Sequence, residues 1–171
     1  ILPPLMEDVS LVANYSLVPY EIKLSASPLA GGTLTGAGFY NFGSTAIVTA
    51  NPANGYNFVN WTENGVIVPL AGATYSFTVS GARTLQANFV LKTYTLTVNA
   101  VNGSVLKVPQ QATYNHGATV VLTPTPAVGY EFLNWTGDAT GTTNPLTVLM
   151  NGNKNITANF SLITTPPTGG L

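Results

Sequence analysis

Two stretches of this chain repeat one another, and that repeat limits the fold more than any other feature. Tyr40 to Thr62 and Tyr114 to Thr136 align without a gap at an offset of 74 residues, with 13 of 23 positions identical. Tyr20 and Tyr94 stand at the same offset, and Ala87-Asn88-Phe89 closes the first unit as Ala158-Asn159-Phe160 closes the second. Self-similarity at a fixed period is the signature of a repeat architecture. A third, partial copy lies in Val9 to Leu17, which reads like Arg83 to Leu91. The expected organisation is therefore the last strand of a preceding, truncated repeat in 1–19, repeats in 20–91 and 92–163, and a Pro/Thr/Gly-rich linker in 164–171. The whole reads as a piece of a larger protein, with the orphan strand docked on the first unit or on a neighbouring molecule.

Units this small bury a modest fraction of their surface, so each core should be thin and rich in aromatics. The chain has no cysteine, hence no disulfide framework and no thiolate chemistry. Five Lys/Arg and six Asp/Glu make up only 6% of 171 residues, against a usual share of roughly a quarter. A chain with so little positive charge has no field to attract phosphate, which argues against nucleic acid and anionic membrane as partners. Apolar runs such as Val120-Val121-Leu122 are too short to span a bilayer.

The local pattern is alternation with period two. In Tyr94-Thr95-Leu96-Thr97-Val98 the apolar residues fall on one face and the threonines on the other, as they do in Tyr20-Glu21-Ile22-Lys23-Leu24. Further strands are expected at Thr45–Asn51, Tyr56–Thr62, Thr74–Val79 and Thr84–Val90, with Thr119–Thr125, Tyr130–Thr136, Leu146–Met150 and Asn155–Leu162 as counterparts. Asn54-Gly55, Asn64-Gly65, Asn102-Gly103 and Asn151-Gly152 supply turn chemistry between them. The fold class is all-β, with five to seven short strands per unit, a short helical turn allowed in a connection, and the two small repeats end to end. Four residues separate Phe89 from Tyr94, which leaves little room for swivelling.

The motif that recurs is a glycine followed by Gly-Tyr-x-Phe-x-x-Trp and, some 25 residues later, Ala-Asn-Phe. It is carried by Gly43, Gly55, Tyr56, Phe58, Trp61 and Phe89, and again by Gly117, Gly129, Tyr130, Phe132, Trp135 and Phe160. This pattern resembles the internalin B-repeat families of bacterial surface proteins, and within them the divergent B-repeat group. The resemblance covers nearly the whole chain. It implies a small β-grasp-like repeat that serves extracellular proteins as a stalk, spacer or adhesive module, without catalytic residues or cofactor.

Few residues offer chemistry. Trp61 and Trp135, with Tyr56, Phe58, Tyr130 and Phe132, would make a sugar-stacking platform if exposed, but a unit of this size needs such rings in its core. The non-recurring Phe39, Phe42 and Tyr75 are the better candidates for a surface platform. His116 is the only histidine, and with no cysteine a zinc or copper site has no ligand set. Of the carboxylates Glu7, Asp8, Glu21, Glu63, Glu131 and Asp138, only Glu63 and Asp138 fall near one another in the alignment, and no acid–base pair of the kind glycoside hydrolysis needs can be assembled twice. Asp138, Thr140 and Thr142 offer too little charge for a tight calcium site. Lys23 with Asn88 raises a Lys–Asn isopeptide bond that Thr97 would forbid in the second unit. Asn60, Asn134, Asn155 and Asn159 head sequons that this composition produces by chance.

The expected function is a non-enzymatic, extracellular or cell-surface segment that spaces or presents other domains of a larger bacterial protein. The alternative is a carbohydrate-binding accessory module of a secreted hydrolase, with a polysaccharide or cell-surface ligand as partner. A filament that assembles through open strand edges is a third reading.

Overall fold

Alternating short apolar and threonine-rich segments, separated by Asn-Gly turns, can bury one face only by pairing side by side and stacking two sheets. The computed structural model describes residues 18–164. The matching segment Val9–Leu17 and the linker beyond Thr164 lie outside the described residues, as do Glu7 and Asp8.

Unit 1 contains β1 (Tyr20–Ser27), β2 (Gly32–Thr35), β3 (Gly38–Tyr40), β4 (Thr45–Pro52), β5 (Tyr56–Glu63), β6 (Val66–Ile67), β7 (Thr74–Thr78) and β8 (Arg83–Leu91), with a single 3-10 turn at Leu29–Gly31. Unit 2 contains β9 (Thr93–Tyr94), β10 (Leu96–Ala100), β11 (Gly103–Val108), β12 (Tyr114–Asn115), β13 (Thr119–Pro126), β14 (Tyr130–Gly137), β15 (Leu146–Leu149) and β16 (Lys154–Leu162). The chain is all-β, and the expected helical turn is that 3-10 turn. Each unit has more strands than the alternation alone marks out. Those missed, β2, β3, β6, β11 and β12, are imposed by their partners, and all but β11 have four residues or fewer.

One sheet of unit 1 runs β3-β1-β8-β5-β6 and the other β2-β4-β7; unit 2 repeats this as β10-β16-β14 and β11-β13-β15, with β9 and β12 as a separate two-stranded piece. The first long strand pairs with the last in parallel, β1 with β8 and β10 with β16, at matching registers: Ile22 faces Arg83 and Leu96 faces Lys154. Parallel neighbours require a crossover. Here the crossover is the second sheet itself, which lies over the first and closes the core.

The core shows why the aromatic motif has its spacing. Period two would put Phe58 and Trp61 on opposite faces of β5. A β-bulge between Phe58 and Asn60, matched by one between Phe132 and Asn134, shifts the register by one residue and turns both rings inward. Phe58 then lies 5.9 Å from Trp61 and 6.0 Å from Phe89, and Phe132 lies 5.1 Å from Trp135 and 6.0 Å from Phe160. The displaced residues Val59 and Leu133 are exposed. Phe89 and Phe160 in turn lie against Gly32 and Gly103, where a Cβ would overlap the ring. Around each tryptophan pack Ile22, Val48 and Leu85 in unit 1, and Val120, Leu122 and Ile156 in unit 2.

Candidate functional site

The residues that join the units form the most specific arrangement in the molecule. Lys92 alone separates β8 from β9, and both its backbone groups are engaged. Its N–H donates to Gly55 O in unit 1 at 2.8 Å, and its carbonyl accepts from His116 N in unit 2 at 2.8 Å. The connection is thus held from both sides, because a backbone group withdrawn from water needs a partner.

Local sequence sets this up on each side. Asn54-Gly55 is a tight turn, with Gly55 at φ +82, a conformation that glycine adopts at no steric penalty. The absent side chain also makes room: a Cβ at Gly55 would overlap the imidazole of His116. Behind that ring stands Tyr94, 6.0 Å away, held by the pairing of β9 with β12, in which Tyr94 faces Tyr114. His116 is therefore half-buried at the junction, where its Nδ1 is enclosed without a hydrogen-bond partner among the described residues. Phe42, its counterpart, lies 6.4 Å from Tyr20 and is exposed.

The aromatic candidates divide sharply. Trp61 and Trp135 are 0% and 1% exposed, and their indole N–H groups donate to Gly72 O at 3.0 Å and Thr143 O at 2.8 Å. They therefore anchor the loop after β6 and the loop after β14 to the core. Tyr56, Phe58, Tyr130 and Phe132 are half-buried, whereas Phe39 and Phe42 are exposed. Tyr75 stacks on Phe77 at 5.1 Å.

Among the described residues the carboxylates do not converge. Glu63 receives Arg83 in a forked pair, with Arg83 Nη2 2.7 Å from Oε2 and Nε 3.1 Å from both oxygens. The guanidinium also donates to Tyr75 Oη at 3.3 Å and lies 4.4 Å over the Phe77 ring. Its hydrogen bond to Glu63 raises the Arg83 pKa, burial lowers it and the bond to Tyr75 raises it, for a net upward shift. This cluster borders an open groove of about 270 Å³ lined by Val66, Ile67 and Val68. Asp138 belongs to the other unit, where its Oδ2 accepts from Asn155 N at 2.6 Å. Glu21 pairs with Lys23 at 3.2 Å on the surface. Among the described residues no three His, Asp or Glu side chains gather as a metal site would need.

Lys23 and Asn88 lie apart. Lys23 is in register with Thr84, whereas Asn88 is in register with Ser27, four residues along the strand or about 13 Å. Asn88 instead donates to Asn60 Oδ1 at 2.8 Å and Thr62 Oγ1 at 3.1 Å, and Asn159 repeats this with Asn134 at 2.8 Å and Thr136 at 3.0 Å. Sequence reasoning took Asn60, Asn134 and Asn159 for chance sequons and weighed Asn88 only as a crosslinking partner. Their signal was the recurrence of Asn-Trp-Thr together with Ala-Asn-Phe, which places the two amides across the bulge from each other.

No helix among the described residues is long and apolar enough to cross a membrane. No curated protein matches the chain. A family model described as the divergent InlB B-repeat domain matches residues 22–93 and again 94–164, so that each match contains one mixed sheet, one covering sheet and one buried tryptophan. The chain belongs to the divergent InlB B-repeat family and carries two tandem copies of its domain.

Proposed function

We propose that this chain is a non-enzymatic, extracellular tandem-repeat segment that spaces or presents other modules of a larger bacterial surface or secreted protein. The observation that carries this reading is the fixed junction: one connecting residue, Lys92, bonded through its N–H to unit 1 and through its carbonyl to unit 2. A spacer transmits distance only if its joints do not swivel, and repeats that contact only their neighbours add length in steps. The scarcity of charge, 6% of the chain, supports a mechanical rather than a chemical role. For the carbohydrate-binding alternative Trp61 and Trp135 are not available, since they lie in the core, which leaves it the exposed Phe39 and Phe42.

Small-angle scattering of the full chain tests the proposal. End-to-end units give a radius of gyration clearly above the roughly 15–16 Å of a compact chain of this length, and a narrow distribution of interunit orientations in residual dipolar couplings. A compact profile at that lower value, or orientations averaged over a wide cone, would overturn it.

A further inference from the structure

The Gly55–His116 junction is built from two surfaces, and each occurs a second time at an end of the described chain. The turn surface recurs at Gly129, which has φ +83 against +82 at Gly55, and whose carbonyl accepts from Ile163 N at 2.8 Å as that of Gly55 does from Lys92. Among the described residues nothing lies within 4 Å of where a Cβ at Gly129 would stand. The ring surface recurs at Phe42, which stands against Tyr20 as His116 stands against Tyr94, with Tyr20 facing Tyr40 in the register that pairs Tyr94 with Tyr114.

Both surfaces are more apolar than their counterparts inside the junction. At the turn end Val128 is 102% exposed where Asn54 stands in unit 1, and Ile163, also exposed, takes the place of Lys92. At the ring end Phe42 is 64% exposed in place of His116, and Phe39 is exposed in place of Thr113. Apolar side chains presented together at a surface mark an interaction site more readily than single ones do.

We propose that the Tyr20–Phe42 surface docks the Val128–Gly129 turn of a second copy of this chain, repeating head to tail the ring-over-glycine contact that joins the two units. The contact is heterologous, so it does not close on itself and propagates from copy to copy. It differs from edge-to-edge strand pairing, because it uses a turn and a ring rather than open backbone. It also goes beyond the spacer reading: a rigid rod need not associate, and a flexible pair of units could still dock, so the two stand or fall separately. The surface is small and lies in the range of weak encounters. Val18 occupies the place that Lys92 holds in the internal junction, and an incoming Ile163 must displace it, which weakens the association further.

Amide spectra of the full chain, recorded from about 0.05 to 2 mM to cover weak affinities, test the proposal. Signals of Phe42, Tyr20, Gly129 and Ile163 should move together and saturably with concentration, while those of Gly55 and His116 stay fixed. Phe42→Glu and Val128→Lys are exposed substitutions that leave the core untouched, and each alone should abolish the movement. Mixing the two variants should restore it, since one retains an intact turn and the other an intact ring surface, and sedimentation should then show a dimer that does not extend. Spectra independent of concentration would overturn the proposal. So would movement confined to the edge strands β6 and β15, or a mixture that fails to recover.

Discussion

The two units share the aromatic stack between their sheets and differ most at the rim beyond Trp61 and Trp135. Both keep the bulge, the three-ring stack, the asparagine pair and the glycine under the last phenylalanine. After the tryptophan, β5 continues into the hairpin with β6 and into the Arg83–Glu63 pair, whereas β14 ends at Gly137 and Asp138, with Lys154 where unit 1 has Arg83. What repeats is thus the part of the sequence that fills a thin core. What differs is the solvated rim, together with buried positions such as Ala46 and Val120 where one apolar side chain replaces another.

That division is broken or upheld first by the tryptophans. Trp61→Ala and Trp135→Ala each remove the largest buried side chain of a unit and leave an indole-sized void and a loop carbonyl without its donor. Each should lower the stability of its own unit by about 3–5 kcal/mol. Urea denaturation followed by amide signals from each unit checks this. Losses that differ by more than about 1 kcal/mol between the units would mean that the rim, and not the shared core, sets stability.

The repeat, the all-β class and most long strands could be read from the sequence, because period-two alternation and the recurring Tyr-x-Phe-x-x-Trp are direct consequences of facing a core. The spacing of three between Phe58 and Trp61 also carried the bulge, since no regular strand brings both rings to one face, yet period counting alone passes over it. The short strands β6 and β12 were not legible, because two residues carry no period and their pairing is decided by Thr62 and Tyr94 across the ladder. The junction was hidden for another reason. Nothing local in Asn54-Gly55 or in His116 says that they meet; only the register of β9 with β12 brings them together.

The next comparison sets the occupied glycine turn against the open one. Gly55→Ala and Gly129→Ala both force a non-glycine residue into the left-handed region, which destabilises by about 1–2 kcal/mol. Only at Gly55 does the new methyl also meet the His116 ring. Gly55→Ala should therefore be the more damaging by a further 1–2 kcal/mol or so, as overpacking is, and should loosen the interunit orientation in residual dipolar couplings. Adding His116→Ala to Gly55→Ala should recover most of that excess. Equal losses at the two glycines would show that the ring contact contributes nothing to holding the units together.

The smallest effect expected is at the rim itself. Arg83 and Glu63 are partly exposed, with side chains 21% and 28% accessible, so their attraction is screened by water. The fork geometry and the Phe77 face beneath the guanidinium add a little to this pair. Arg83→Met keeps the stem over Phe77 and removes the charge, and should destabilise unit 1 by about 1 kcal/mol or less. Lys154→Met, at the same register position in unit 2, should change almost nothing. The sign with pH follows from the raised Arg83 pKa: a cation whose folded value lies above its unfolded one stabilises fully below the unfolded value and loses that contribution only as pH climbs through the folded one. For a guanidinium that window is strongly alkaline, so the difference between wild type and Arg83→Met should stay level from pH 6 to pH 9 and shrink with added salt. A difference that grew with salt would leave the ring contact, and not the ion pair, as what Arg83 supplies to the rim.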